Sequence, residues 1–151
     1  MKNKGFTLIE LIAVVVIMAI IALIATPNIV SMIDTGKKED YLADAKEFIS
    51  KATYMYKQEK YKNDEAVFVN SGSTWTIKLK NIENVGDLND PYGEKYDSEN
   101  SFVRFTEPTG NELGTRTVFI YLESDSHKIG TSSSPVNENN LNTESIVEIE
   151  T

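Results

Sequence analysis

One carboxylate sits where it is costly. Between Phe6 and Thr26 the chain reads FTLIELIAVVVIMAIIALIAT, 21 residues in which Glu10 is the only charge. An acidic residue at the centre of a bilayer costs roughly 2.5 to 3.5 kcal/mol on insertion scales, less near the edge. A buried charge must be paired or neutralised, so Glu10 needs either a cationic partner or a snorkelling route to the interface.

Other chemistry is sparse. His127 is the only histidine, and no sequence-local nucleophile with a base accompanies it, so the usual catalytic constellations lack visible parts. A lone exposed histidine on a strand is the expectation there. Asp87, Asn89, Asp90 and Glu94 could gather oxygen ligands for calcium, but their spacing fails the EF-hand pattern, and no metal or other cofactor is expected. The same stretch, Asp90-Pro91-Tyr92-Gly93, carries the residues a tight turn demands: proline presets φ, glycine accepts a positive φ and aspartate caps the backbone. There is no cysteine for a disulfide or thiolate site, and no glycine loop that would cradle phosphate.

Charge narrows the partners. The net charge is −8, with 13 lysines but only 2 arginines among the cations. An acidic surface with few guanidinium forks disfavours direct nucleic-acid binding.

The elements that position these residues are legible from periodicity. Twenty-one apolar residues in a helix span about 31 Å, enough to cross a hydrocarbon core of about 30 Å. Lys2 and Lys4 flank one end, which keeps Met1 cytoplasmic and sends the bulk of the chain outward. A cut by an ordinary signal peptidase is disfavoured, because Leu23 or Ile20 would occupy the upstream position that wants a small residue. From Ile29 through Met32, Ile33, Tyr41, Ala45, Phe48, Ile49, Ala52, Met55 and Tyr56 the apolar steps are mainly three and four, an amphipathic helix. An unbroken helix from Phe6 to about Lys60 would be roughly 82 Å long. Pro27 should kink it, melt a turn or end it near Thr26, and Gly36 is a second candidate bend.

After Asn63-Asp64 the pattern becomes β, with strands expected at 66–69, 75–79, 102–105, 118–122 and 146–149. Lys78 and Arg104 alternate with apolar neighbours, so one sheet face should be wet and the other should pack on the helix. Residues 131–142 read as an exposed polar loop. The fold class is α+β: one long N-terminal helix, apolar in its first half, packed by its second half on an antiparallel sheet.

The run Lys4-Gly5-Phe6-Thr7-Leu8-Ile9-Glu10 closely resembles the class III signal of type IV pilins and pseudopilins. The resemblance implies a pilin fold, prepilin-peptidase cleavage between Gly5 and Phe6, and methylation of the new amino terminus. It further implies that Glu10 meets the Phe6 amine of a neighbouring subunit during assembly. Pro27 stands where related pilins commonly have a proline, and Asp90-Pro91-Tyr92-Gly93 is similar to a segment of major pseudopilins. On that footing residues 1–5 are a leader, 6–27 a transmembrane and assembly helix, 28–62 the amphipathic helix of a head, and 63–151 its sheet and loops.

The implied function is a structural subunit of a type IV pilus serving adhesion, motility or biofilm formation. The alternative is a pseudopilin of a type II secretion or DNA-uptake machine; a monomeric signal-anchored surface protein stands further off. The implied partners are copies of itself and other pilins, prepilin peptidase, membrane assembly machinery, and the membrane before assembly. The precursor would sit in the cytoplasmic membrane and the product in an extracellular filament. Thirteen asparagines and the missing cysteine pair point to a Gram-positive source.

Overall fold

The computed structural model describes residues 5, 7–83, 85, 88–108 and 115–149. Lys2, Lys4, Phe6 and Asp87, together with the turn residues Thr109, Gly110 and Asn111, lie outside the described residues. By contacts the chain divides into two units, Met1–Gly36 and Lys37–Thr151.

A single helix, α1 (Leu8–Tyr56), begins in the first unit and ends in the second. It is the one described helix long and apolar enough to cross a membrane, with a mean hydropathy of 3.1 in its most apolar window. Every Leu, Ile, Val and Met side chain from Leu8 to Ile33 is exposed. So large an apolar surface requires lipid or another apolar helix around it.

The helix neither stops at Thr26 nor breaks at Pro27 or Gly36. Pro27 has no N–H to give the carbonyl of Leu23. Around it the Thr26 hydroxyl donates to the Ala22 carbonyl at 2.6 Å and the Asn28 amide to the Ile24 carbonyl at 3.4 Å. These side-chain bonds solvate the backbone on either side of the gap.

In the second unit, Tyr41, Ala45, Phe48, Ile49, Ala52, Met55 and Tyr56 line the buried stripe of α1. The opposite side carries an exposed i, i+4 ion pair, Glu47 to Lys51 at 2.8 Å. The helix ends two residues after Tyr54, Gln58 takes an extended conformation, and a single turn, α2 (Glu59–Lys62), follows. The amphipathic helix expected to run to residue 62 is therefore interrupted at 57–58.

Seven strands follow: β1 (Phe68–Ser71), β2 (Thr74–Lys78), β3 (Phe102–Thr106), β4 (Thr117–Glu123), β5 (His127–Ile129), β6 (Val136–Asn137) and β7 (Ile146–Glu148). All pairings are antiparallel, in the order β1-β2-β3-β4-β5-β7, with β6 beside β4. Along its second edge β4 pairs first with β6, through Phe119 and Ile120, and then with β5, through Leu122 and Glu123. The inner face supplies Ile77, Val103, Phe105, Val118 and Ile120 to the core under α1. Tyr56 stacks on Phe105 at 4.5 Å, and Phe48 meets Tyr96 edge-on at 5.4 Å.

The five expected strands are present with shifted ends. β1 starts at Phe68, not Ala66, because Asp64 holds the preceding turn: its carboxylate accepts from the Ala66 amide and its carbonyl from the amides of Val67 and Phe68. β5 and β6 were not foreseen, and residues 131–142 are accordingly no simple loop: they contain β6 and a 3-10 turn at Glu138–Asn140. The outer face is only partly wet, since Phe102 and Tyr121 pair there at 5.6 Å and are both under a tenth exposed.

Candidate functional site

The segment around the Gly5–Phe6 bond starts from an exposed glycine, with no atom within 4 Å of the place where a Cβ would stand. Immediately beyond Phe6 the chain caps α1. The Thr7 amide and the Thr7 hydroxyl both donate to Glu10 Oε2 at 2.8 Å, and the Glu10 amide donates to Thr7 Oγ1 at 3.4 Å. This reciprocal arrangement is a capping box, which satisfies amides that the first helical turn leaves without partners. Sequence reasoning missed it, although the signal was there: threonine, two residues, then glutamate directly before an apolar run. Glu10 is thus placed by Thr7 at the start of the helix, with its carboxylate exposed. Pro27 lies on the same helix, also exposed.

The second cluster gathers around the tight turn. The Gly93 amide donates to the Asp90 carbonyl at 3.0 Å, and Gly93 has φ +100°, a conformation that favours glycine. Asp90 is 4% exposed, yet its carboxylate is fully engaged. Oδ1 accepts from the amides of Tyr92 and Glu94 at 2.9 Å each, while Oδ2 accepts from the hydroxyls of Ser124 at 2.6 Å and Ser126 at 3.1 Å. Those four donors leave Asp90 without a free lone pair aimed at a cation. Among the described residues no group of three His, Cys, Asp or Glu side chains is arranged to hold a metal ion.

His127, expected exposed, is buried on β5. Tyr92 stacks on its ring at 3.6 Å, and the Tyr41 hydroxyl donates to its carbonyl at 3.0 Å. Its Nδ1 lies 2.9 Å from Ser126 Oγ, whose proton is already directed to Asp90. The Ser126 hydroxyl thus lies between the imidazole and the Asp90 carboxylate, within hydrogen-bond reach of both. Asp90 was not readable as the partner of this hairpin, because it reaches Ser124 and Ser126 only through the packing of its turn against the β4–β5 connection.

Below this cluster, the Tyr96 hydroxyl donates to Asp44 at 2.8 Å. Burial pushes the Tyr96 and Tyr41 hydroxyls well above their ordinary range, with nearby carboxylates adding to the effect. Burial also raises Asp44, against the opposing pull of the Tyr96 hydrogen bond.

An exposed glycine, a glutamate that caps its helix and an exposed apolar helix occur here in one continuous stretch. Residues 1–26 match the family model for the prokaryotic N-terminal methylation motif. No curated protein and no solved structure matches the chain significantly. The methylation motif is that of the class III signal peptides of type IV pilins, and it supports a pilin-like or pseudopilin precursor. It implies processing by prepilin peptidase and assembly with other pilins. It points to a structural subunit rather than an enzyme, and with the apolar helix it suits a membrane-anchored precursor. The α+β arrangement of one long helix and an antiparallel sheet is pilin-like.

Proposed function

We propose that the chain is a structural subunit of a type IV pilus, cut between Gly5 and Phe6 and polymerised through its N-terminal helix. The observation that carries this reading is the methylation motif over residues 1–26, with Glu10 as the one charge on the exposed apolar helix. Cleavage leaves Phe6 with an α-amino group of ordinary pKa about 7.7 to 8.0, cationic at neutral pH. That amine is the partner Glu10 needs. Thr7 survives the cut, so Glu10 can cap its own helix and still face a neighbour's amine. Pairing Glu10 with Phe6 selects register in a bundle where apolar packing alone is featureless.

On this reading residues 1–5 are removed, 6–27 form the assembly helix, 28–62 carry the head's helix and 63–151 its sheet. Pro27 loosens the backbone where the apolar run ends. The precursor waits in the cytoplasmic membrane and the mature chain lies in an extracellular filament that serves adhesion, motility or biofilm formation. A pseudopilin of a secretion or DNA-uptake machine is the second reading, favoured by Asp90-Pro91-Tyr92-Gly93.

The test is quantitative mass spectrometry of material sheared from the cell surface. A dominant peptide beginning at methylated Phe6 is expected; an intact Met1 peptide confined to the membrane would leave only a signal anchor. Trace amounts in the sheared fraction would instead favour the pseudopilin or a minor subunit. Glu10→Ala should cut filament incorporation sharply while leaving membrane insertion intact.

A further inference from the structure

The sheet face turned away from α1 holds a recess of about 480 Å³, in the size range of small-molecule sites, about 300 to 1,000 Å³. Arg104 lines it. Its directly opposed neighbours are Thr76 on β2 and Phe119 on β4. The next row pairs Thr74 with Thr106, and Pro135, just before β6, forms a wall. Opposed side chains on a sheet have Cβ atoms about 4.5 to 5.5 Å apart, so Thr76, Arg104 and Phe119 rise from one row of the floor, with the guanidinium leaning to the Phe102 side of that row.

Arg104 is unusual in what surrounds it. It is one of two arginines in a chain of net charge −8, and no ion pair of the described residues involves it. Its cross-strand neighbours are a hydroxyl and a phenyl ring rather than a carboxylate, and its guanidinium lies 4.6 Å from the centre of the Phe102 ring. Stacking on Phe102 restrains the fork while its N–H groups still require acceptors. A planar two-oxygen anion fits that fork in a bidentate manner.

The rest of the floor reads hydroxyls and a flat apolar face. Threonine hydroxyls both donate and accept, as ring hydroxyls of a sugar do. Phe119 offers an aromatic surface to the C–H face of a pyranose. A lone cation in an acidic chain is too little for a polyphosphate or nucleic acid, which is held by several. The floor of the recess is a sheet face that reaches Ser71 on the edge strand β1, rather than the strand edge itself, where an added peptide strand is captured.

We propose that this recess binds a carboxylated saccharide, its carboxylate on Arg104, its hydroxyls toward Thr76 and Thr74, and its apolar face on Phe119. The assignment is independent of whether the chain forms a pilus or serves a secretion machine.

The test is amide NMR of the isotope-labelled full-length chain in detergent micelles, titrated with D-glucuronate and, separately, with glucose, acetate and glucose 6-phosphate. Glucuronate should shift the amides of Thr76, Arg104 and Phe119, and should bind at least tenfold more tightly than glucose or acetate. Arg104→Gln should abolish those shifts, and Arg104→Lys should weaken binding severalfold, because a point charge replaces the fork. Thr76→Val keeps the side-chain shape and should weaken binding without changing the thermal midpoint, which covers the case of Arg104→Gln failing to fold. Lys128→Gln, on β5 outside the recess, should bind as the parent does.

Equal binding of glucose removes the role of Arg104, and equal binding of acetate removes the sugar; either overturns the proposal. Preference for glucose 6-phosphate overturns the carboxylate assignment. Loss of self-association in Arg104→Gln, with no glucuronate shift in the parent, assigns the recess to a second copy of the chain and overturns the proposal too.

Discussion

Two carboxylates, Glu10 and Asp90, occupy opposite regimes at the scale of single residues. Glu10 is exposed at the start of an apolar helix and among the described residues binds Thr7, so its local role is modest and its placement matters chiefly when the helix meets others. Asp90 is buried and holds four donors from two segments. Removing an acceptor from buried donors costs about 1 to 3 kcal/mol for a group left unsatisfied, and more around a charge. Asp90→Ala is therefore expected to destabilise the second unit by about 3 kcal/mol or more, with Asp90→Asn costing less because one oxygen remains. Urea unfolding followed by tryptophan fluorescence checks this, since Trp75 sits on β2 beside the core. An alanine variant with an unchanged midpoint would mean the turn is held by Pro91 and Gly93 alone.

At the scale of elements, α1 has two halves with different needs. From Leu8 to Ile33 every large apolar side chain is exposed, whereas Tyr41 to Tyr56 bury a stripe against the sheet. A chain beginning at Lys37 keeps that stripe and should be soluble, with dispersed amide resonances. One beginning at Lys57 loses seven core side chains of α1 and should aggregate or remain unfolded. Size-exclusion chromatography with amide NMR distinguishes the two, and a well-folded product from Lys57 would show that the sheet does not depend on the helix.

For the molecule as a whole, titration sets a window of stability. The hydrogen bond from Tyr56, with that from Lys62, holds Glu107 below the usual carboxylate range. At Asp97 burial acts upward, but hydrogen bonds from Asn100 and Glu99 outweigh it and lower the group. A carboxyl group depressed in the fold contributes stability above its unfolded value of about 4, lost as pH falls through the folded value. Asp44, raised by burial, runs the other way and offsets part of that loss. Tyr41 and Tyr96 are raised above their ordinary 10.0, so the preference of the fold for neutral phenols is harmless below pH 10 and costs stability as pH rises past it. Thermal midpoints should be flat between about pH 5 and 9 and fall on both sides. A midpoint that keeps rising above pH 10 would contradict the burial of the two tyrosines.

The motif and the periodicities were legible because they are local. Lysine, glycine and Glu10 before an apolar run depend only on neighbours along the chain, as do the three-and-four spacing of α1 and the alternation in β2, β3 and β4. Together they determined the fold class and located the candidate processing segment. The short strands β5 and β6 carry too few residues to show a period, and pairing with β4, joined for β5 by pairing with β7, orders them. The burial of His127 is likewise nonlocal, since Tyr92 from the Asp90 turn and Tyr41 from α1 cover it. So is the recess around Arg104: alternation put that residue on the outer face, but strand register chose Thr76 and Phe119 as its neighbours. Sequence determines which side chains can share a face; only pairing of strands distant in the chain decides which ones do.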